Sequence, residues 1–315
     1  MSKFKKPSEL QVNSTIDALI YGQPGIGKTT LALSAPQPVL FDFDGGVQRV
    51  NGAFQCPTLP VSSWEEVTEG LQELKSGEIQ FQTIIIDTVG KMLDFMSDFI
   101  MRNDSRMRMR DGSLALKGYG TRKVMFINFL KEVSMMGKHV VFVAHEREDK
   151  DGEIRIVRPE IGGSSAGDLI KELDLVGYMQ AIGTDRTVSW SPSERFYAKN
   201  TCNLPSVHKV SEIIDKEGNI TKQNNFLTLV FDSYHRYLEN IRQKRMKYDN
   251  LLGSLNKGIA AVTDEATANE VYVKIESFNG HIWDSKAQAE KALELRCKAL
   301  GLKFNAIENK YESAA

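Results

Sequence analysis

Cysteine is scarce in this sequence: Cys56, Cys202 and Cys297 are the only three in 315 residues. An odd number at such wide spacing fits neither a disulfide framework nor a zinc site, and it points to a reducing, cytoplasmic setting. No apolar run approaches the roughly 20 residues of a membrane helix, so no membrane partner is expected. Net charge is also missing, since 40 Lys and Arg stand against 41 Asp and Glu. That balance excludes a global basic field, and any polyanion must be met by local patches. The start, Met-Ser-Lys-Phe-Lys-Lys, is basic but gives way to Pro7 and polar residues, which is not the pattern of a signal peptide. No internal repeat or low-complexity segment stands out.

What is present begins with Gly22-Gln23-Pro24-Gly25-Ile26-Gly27-Lys28-Thr29, followed by Thr30. This is the G-x-x-x-x-G-K-[ST] phosphate loop, with an apolar strand pattern before it (Ile16–Tyr21) and a helical one after it. Glycines let the backbone wrap phosphate oxygens while successive N–H groups point inward. The next helix turns its positive end to the same anion. Lys28 reaches the β- and γ-phosphates and the Thr29 hydroxyl ligates Mg²⁺. The expected ligand is therefore a nucleoside triphosphate, ATP, with Mg²⁺, held along Gly22–Thr30.

Further along, strand patterns recur at Pro38–Asp44, Phe81–Asp87, Lys138–His145 and Leu175–Ile182, with helical patterns between them. Alternation of this kind predicts an α/β fold, a mostly parallel sheet covered by helices on both faces. Ser62 with Glu65, or Ser63 with Glu66, forms a capping box for a helix reaching about Lys75. Helices are expected from about Val89 to Met101 and from about Thr121 to Met136, with a polar basic loop over 102–120 between them. Asp151-Gly152 is a hairpin turn signal, and a further hairpin is expected to pair Thr187–Trp190 with Arg195–Lys199. Composition shifts near Ser233. The expected organisation is a mobile lead-in over 1–14, an ATPase core over 15–233, and a small helical C-terminal extension over 234–315.

Asp87 ends the apolar strand Ile84-Ile-Ile-Asp87, where a carboxylate orients the Mg²⁺ shell; the alternative is a helix N-cap. The residue after it is Thr88, not the Glu many hydrolytic ATPases place there. The general base must then come from elsewhere, with Asp44 favoured and Asp42 and Glu146 behind it, or hydrolysis is slow. His145 ends a strand expected at the nucleotide edge, where it can contact the γ-phosphate or simply cap the strand.

Taken in order, the phosphate loop, Phe41-Asp-Phe-Asp-Gly-Gly46, Ile84-Ile-Ile-Asp-Thr88 and Val141-Phe-Val-Ala-His-Glu146 resemble the RecA-like P-loop ATPases. The resemblance is closest to the bacteriophage core-only relatives, ATP-binding single-strand annealing recombinases, and covers roughly residues 14–232. It implies a RecA-like fold, a catalytic carboxylate at Asp44 (Asp where the family has Glu), and a γ-phosphate sensor at His145. It also implies self-assembly into a filament or ring with ATP between protomers. Lys199 with Asn200 would then reach a neighbour's nucleotide, while Thr201 replaces the family's second Lys. A single-stranded-DNA-binding protein is a further implied partner. The two implied DNA loops, about 102–118 and 146–167, carry Arg102, Arg106, Arg108, Arg110 and Lys117 in the first and Arg147, Arg155 and Arg158 in the second. The first is the densest positive stretch of the catalytic half, with Tyr119 as a stacking surface; carboxylates balance the second. The sequence thus predicts an ATPase acting on single-stranded DNA in annealing or strand exchange. A hexameric helicase-type motor, a small-molecule kinase with a 102–110 lid, and a non-hydrolytic ATP-gated scaffold remain open beside it.

Overall fold

Strand β1 (Asp17–Gly22) is buried along almost its whole length and runs straight into the phosphate loop. The computed structural model describes residue 3 and residues 14–151, 153–183, 185–278 and 285–313; the expected lead-in lies almost wholly outside the described residues. The chain divides into two units, Asn13–Tyr237 and a second containing Leu238–Ala315.

In the first unit β1 is followed by α1 (Lys28–Ala32), β2 (Pro38–Asp42), β3 (Thr58–Pro60), α2 (Trp64–Ser76), β4 (Thr83–Asp87), α3 (Val89–Asn103), α4 (Leu116–Met135), β5 (His139–Asp151), β6 (Ile154–Pro159), α5 (Ser165–Glu172), β7 (Leu175–Ile182), β8 (Asp185–Ser189), β9 (Lys199–Asn200), β10 (Val207–Val210) and the start of α6 (Phe226–Ala260). The main sheet runs β10-β8-β7-β1-β5-β4-β2-β3, with β6 on β5 and β9 on β7. Pairing is parallel from β7 through β3 and antiparallel at β8 and β10. The chain thus has the mostly parallel, helix-covered α/β sheet of a P-loop NTPase, with β5 inserted between the loop strand β1 and the carboxylate strand β4.

Both faces of the central strands are apolar because both are covered. Leu19, Tyr21, Phe41, Ile84, Ile86 and Phe142 form one core with residues of α2, α3 and α4, including Val67, Met92 and Phe126. Alternate residues Ile20, Leu40, Ile85 and Val141 are equally buried. The start of α6 is tied to the end of α1, where Ser34 Oγ accepts from Leu227 N at 2.8 Å. Ser63 caps α2 by accepting from Glu66 N, but the Glu66 carboxylate accepts from Ser62, one residue before the cap, so the expected capping box forms only by half.

Three expectations need correction. Helix α4 starts at Leu116, five residues before the sequence pattern suggested, and absorbs Lys117, Gly118 and Gly120. Gly118 packs closely there, and a Cβ at 2.6 Å from the Leu114 side chain would make that side chain shift. Residues 187–190 do not pair with 195–199: β8 is held between β7 and β10, and Lys199-Asn200 joins β7 instead. The second unit is not purely helical. Its α7 (Glu265–Glu276) and α8 (Ser285–Ala299) are followed by an antiparallel pair, β11 (Leu302–Asn305) and β12 (Lys310–Ser313), around a core of Leu255, Val271, Ile275, Leu293 and Tyr311.

Candidate phosphate-loop site

Parallel pairing brings five strands together at one edge, where β1, β2 and β4 end. Gly22 stands opposite His145 across β1 and β5, and opposite Met179 across β1 and β7. Asp42 stands opposite Asp87 across β2 and β4. Carboxyl ends of parallel strands are where ligands meet such sheets, and the predicted residues collect there.

The crest of the loop (Gln23, Pro24, Gly25 and Gly27) is exposed, and Ile26 turns inward as its anchor. Gly25 and Gly27 sit at φ +79° and +98°, the left-handed region a side chain would strain. Gly22 is needed for a different reason: a Cβ would fall 2.3 Å from the Met179 carbonyl oxygen. Lys28 is buried and donates to the Gln23 carbonyl at 2.8 Å, with His145 Nδ1 3.4 Å away. Burial lowers the Lys28 pKa, against the pull of Asp87, Glu146 and Asp44.

The Thr29 hydroxyl donates to Asp87 Oδ2 at 2.6 Å. Asp87 is 2% exposed, and burial first, then the Asp44 and Asp42 charges, push its pKa up to about 6. A buried carboxylate among other carboxylates is a place where a hard cation relieves both desolvation and repulsion, and its partners are oxygens. This donor set fits Mg²⁺. No cluster of three or more His, Cys, Asp or Glu forms a metal site among the described residues; the remaining positions around such an ion would fall to phosphate and water.

Asp42 and Asp44 separate into two roles. Asp42 is buried and accepts from the backbone N–H of Gly46 and Val47 at 3.0 and 3.1 Å, which pins the turn after β2. Asp44 lies beyond the strand, with Oδ2 3.9 Å from His145 Nε2. The His145 imidazole, then the Gly46 N–H, hold its carboxyl below the usual range against burial. Glu146 begins the β5–β6 hairpin opposite Pro159. Its Oε2 is buried without a hydrogen-bond partner, and its charge acts on Lys28. Thr88 does not stand in for a missing Glu, because its Oγ1 caps α3 through Lys91 N.

Lys199 is not part of this cluster within the protomer. It sits on β9, and its ammonium donates to the Ile170 and Lys171 carbonyls, both at 3.1 Å, at the end of α5. The two basic segments differ in how far their cations are paired. The second is a hairpin whose arginines are neutralised: Arg147 and Arg158 pair with Asp149, Arg155 with Glu148. In the first, Arg102 pairs with Glu65 and Arg106 with Asp104. Among the described residues no carboxylate lies within 4.0 Å of Arg108, Arg110 or Lys117, and Met109, Leu116 and Tyr119 beside them are exposed.

Two contacts that shape the loop escaped the sequence reading. Arg186 Nε donates to the Ile26 carbonyl at 3.0 Å, and Asn224 Nδ2 to the Thr30 carbonyl at 2.8 Å. Separations of 160 and 194 residues leave no local signal for either.

Loop, carboxylate strand and sheet order define a P-loop nucleoside-triphosphate-binding fold. The chain belongs to the AAA domain family, whose model matches residues 14–202. A comparison with curated proteins finds no match. Solved structures do match; one is described as the crystal structure of the RadB recombinase, at 14% identity and a TM-score of 0.33 over 55% of this chain and 79% of that one. A likeness of that depth is similarity alone. No helix among the described residues is long and apolar enough to cross a membrane.

Proposed function

We propose that the chain binds ATP with Mg²⁺ in the loop Gly22–Thr30, hydrolyses it, and acts on single-stranded DNA as a self-assembling, RecA-like recombination ATPase. The observation that carries the nucleotide part is the 2.6 Å link from Thr29 on the loop to Asp87 on the neighbouring carboxylate strand. In this reading Thr29 and Asp87 hold Mg²⁺, which when bound neutralises charge on the β- and γ-phosphates.

Lys28 exchanges the Gln23 carbonyl for a phosphate oxygen, a stronger, charge-assisted partner. Asp44, kept ionised by His145, takes the proton of the attacking water; Glu146 is the second carboxylate within the same electrostatic neighbourhood. His145 contacts the γ-phosphate and leads directly into the β5–β6 hairpin. With Thr88 committed to capping α3, turnover is slow unless stimulated. Lys199 would serve a neighbouring protomer only by leaving the α5 carbonyls, so its role belongs to the assembled state, filament or ring.

The DNA part rests on Arg108, Arg110 and Lys117, unpaired cations with exposed apolar side chains among them, which suits a flexible strand with stacking bases. The resemblance adds annealing or strand exchange, a bacteriophage source, action in the host cytoplasm and a single-stranded-DNA-binding protein as partner. The test is ATPase rate with and without single-stranded DNA, for wild type and Lys28→Ala. Slow basal turnover, accelerated several-fold by DNA and absent in Lys28→Ala, is expected. Stimulation by a nucleoside acceptor but not by DNA would favour the kinase reading instead.

A further inference from the structure

In the second unit the β11–β12 hairpin has two outer edges, and only one of them is closed. Tyr311 on β12 donates its N–H to Asn269 Oδ1 at 2.6 Å, and its carbonyl accepts from Asn269 Nδ2 at 2.8 Å. Glu265, four residues earlier on α7, accepts from the Ser313 N–H at 2.6 Å. The Asn269 amide thus stands where the backbone of a third strand would, and α7 closes the β12 edge.

The same bonds fix the phase of the ladder. In an antiparallel pair both backbone groups of a residue point to one side, and the side alternates along the strand. Tyr311 stands opposite Phe304, and Ser313 opposite Leu302. Tyr311 and Ser313 direct their N–H groups away from β11, so Phe304 and Leu302 direct theirs away from β12. Among the described residues no further strand joins this sheet, and no hydrogen bond closes the outward N–H or C=O of Leu302 or Phe304. Lys303 is exposed, and Phe304 is 39% exposed. An open row of backbone groups is a template for another strand.

Charge decides what that strand can be. Leu302, Phe304 and Tyr311 share the face toward the helices, where the Phe304 ring meets Tyr272 and Tyr311, each at 5.1 Å. The α8 carboxylates Glu290 and Glu294 also lie toward Tyr311, on that inner face. Lys303, Asn305, Lys310 and Glu312 alternate onto the outer face. Glu312 is opposite Lys303 in register but accepts from Asn305 at 3.1 Å, and Glu308 pairs with Lys310. No carboxylate among the described residues lies within 4.0 Å of Lys303. A second copy of this chain, paired symmetrically through both Leu302 and Phe304, would set the two Lys303 side chains against each other. Like charges directly opposite are destabilising, whereas opposite charges there are favourable.

We propose that the β11 edge receives an extended segment of a partner protein, bonded through its backbone to Leu302 and Phe304, with a carboxylate side chain opposite Lys303. The pleat then places the residues flanking that carboxylate on the inner face, beside Leu302 and the half-open Phe304 ring, so they are apolar. The surface is independent of the phosphate loop, and it gives the C-terminal unit the work of recruiting a partner.

Two short capped peptides of alternating valine and threonine probe it, one with glutamate at its centre between two valines, the other with lysine there. Amide-proton exchange is followed by NMR in the full chain, isotope-labelled at leucine and phenylalanine. The glutamate peptide, at millimolar concentration, should slow exchange at Leu302 and Phe304 several-fold. The lysine peptide should bind about threefold or more weakly, the worth of one cross-strand charge pair. Lys303→Glu, a change at an exposed position, should reverse that order. Leu302 and Phe304 amides left unprotected by either peptide would overturn the assignment, as would an order of affinity that Lys303→Glu leaves unchanged. Protection that arises without peptide as protein concentration rises would overturn it too, in favour of self-pairing.

Discussion

Gly22 and His145 stand side by side, paired in register across β1 and β5. One opens the phosphate loop; the other follows the buried run of its strand, which ends at Ala144, and immediately precedes the hairpin that Glu146 begins. On its other flank Gly22 packs against β7 so closely that a Cβ would meet the Met179 carbonyl oxygen at 2.3 Å and the Ile26 side chain at 2.8 Å. Gly22→Ala must therefore push β7 or the loop anchor aside. We expect a loss of about 1–3 kcal/mol, the usual cost of overpacking, together with weaker nucleotide binding. Chemical denaturation and ATP titration check it; a variant as stable as wild type would show that the strands are less tightly apposed.

Asp44 is expected to act in turnover and not in binding. Asp44→Asn should leave ATP affinity within about threefold and lower the ATPase rate by about 100-fold or more, the range for loss of a general base. Parallel titration and steady-state assays separate the two effects. If Glu146→Gln, and not Asp44→Asn, gives this pattern, the base is the hairpin carboxylate.

The first basic segment makes a quantitative prediction. If Arg108, Arg110 and Lys117 each neutralise one phosphate of a single strand, they contribute about −2 to the slope of log K against log salt. The triple alanine variant should lose that slope and bind DNA correspondingly more weakly. Replacing Arg147, Arg155 and Arg158, already paired within the hairpin, should change it little. An unchanged slope in the first variant would remove this segment from the DNA surface.

How much of this was legible depended on how local the signal was. The phosphate loop is a contiguous stretch, and Asp87 stands at the end of an unbroken apolar strand, so both could be read directly. Strand partners could not. The alternation around Thr187–Trp190 announces a strand, but its neighbours are set by packing, with Trp190 fully buried and bonded to His208. Helix α4 begins early and runs through Gly118, read as a loop residue, whose missing Cβ lets the helix lie against the Leu114 side chain. In the second unit β11 and β12 are four residues each and mixed in polarity, too short for alternation to show. Lys199 was legible only as a resemblance. Its partners here, the α5 carbonyls, depend on β9 joining β7.

At the opposite edge of the sheet, Asp17 supplies a pH test of stability. Burial first, then Asp174 and Glu172, push its pKa from 3.8 up to about 7. Between those values the folded chain keeps a proton that the unfolded chain has released, so stability falls as pH rises through that window. Asp17→Asn removes the titration. The variant should gain on wild type by about 1–3 kcal/mol at pH 8 and much less at pH 5. Thermal melts across pH 5–8 check this; parallel pH profiles would contradict it.

The central claim is that one ammonium, one hydroxyl and one buried carboxylate hold a triphosphate with its ion. Equilibrium titration with a fluorescent ATP analogue, with and without Mg²⁺, tests it most directly in wild type and Lys28→Ala. The account predicts saturable, Mg²⁺-dependent binding that weakens about 10- to 100-fold in the variant, the worth of a charge-assisted hydrogen bond, at nearly unchanged melting temperature. Folded wild-type protein that takes up no nucleotide, or a variant that binds as tightly, would contradict it.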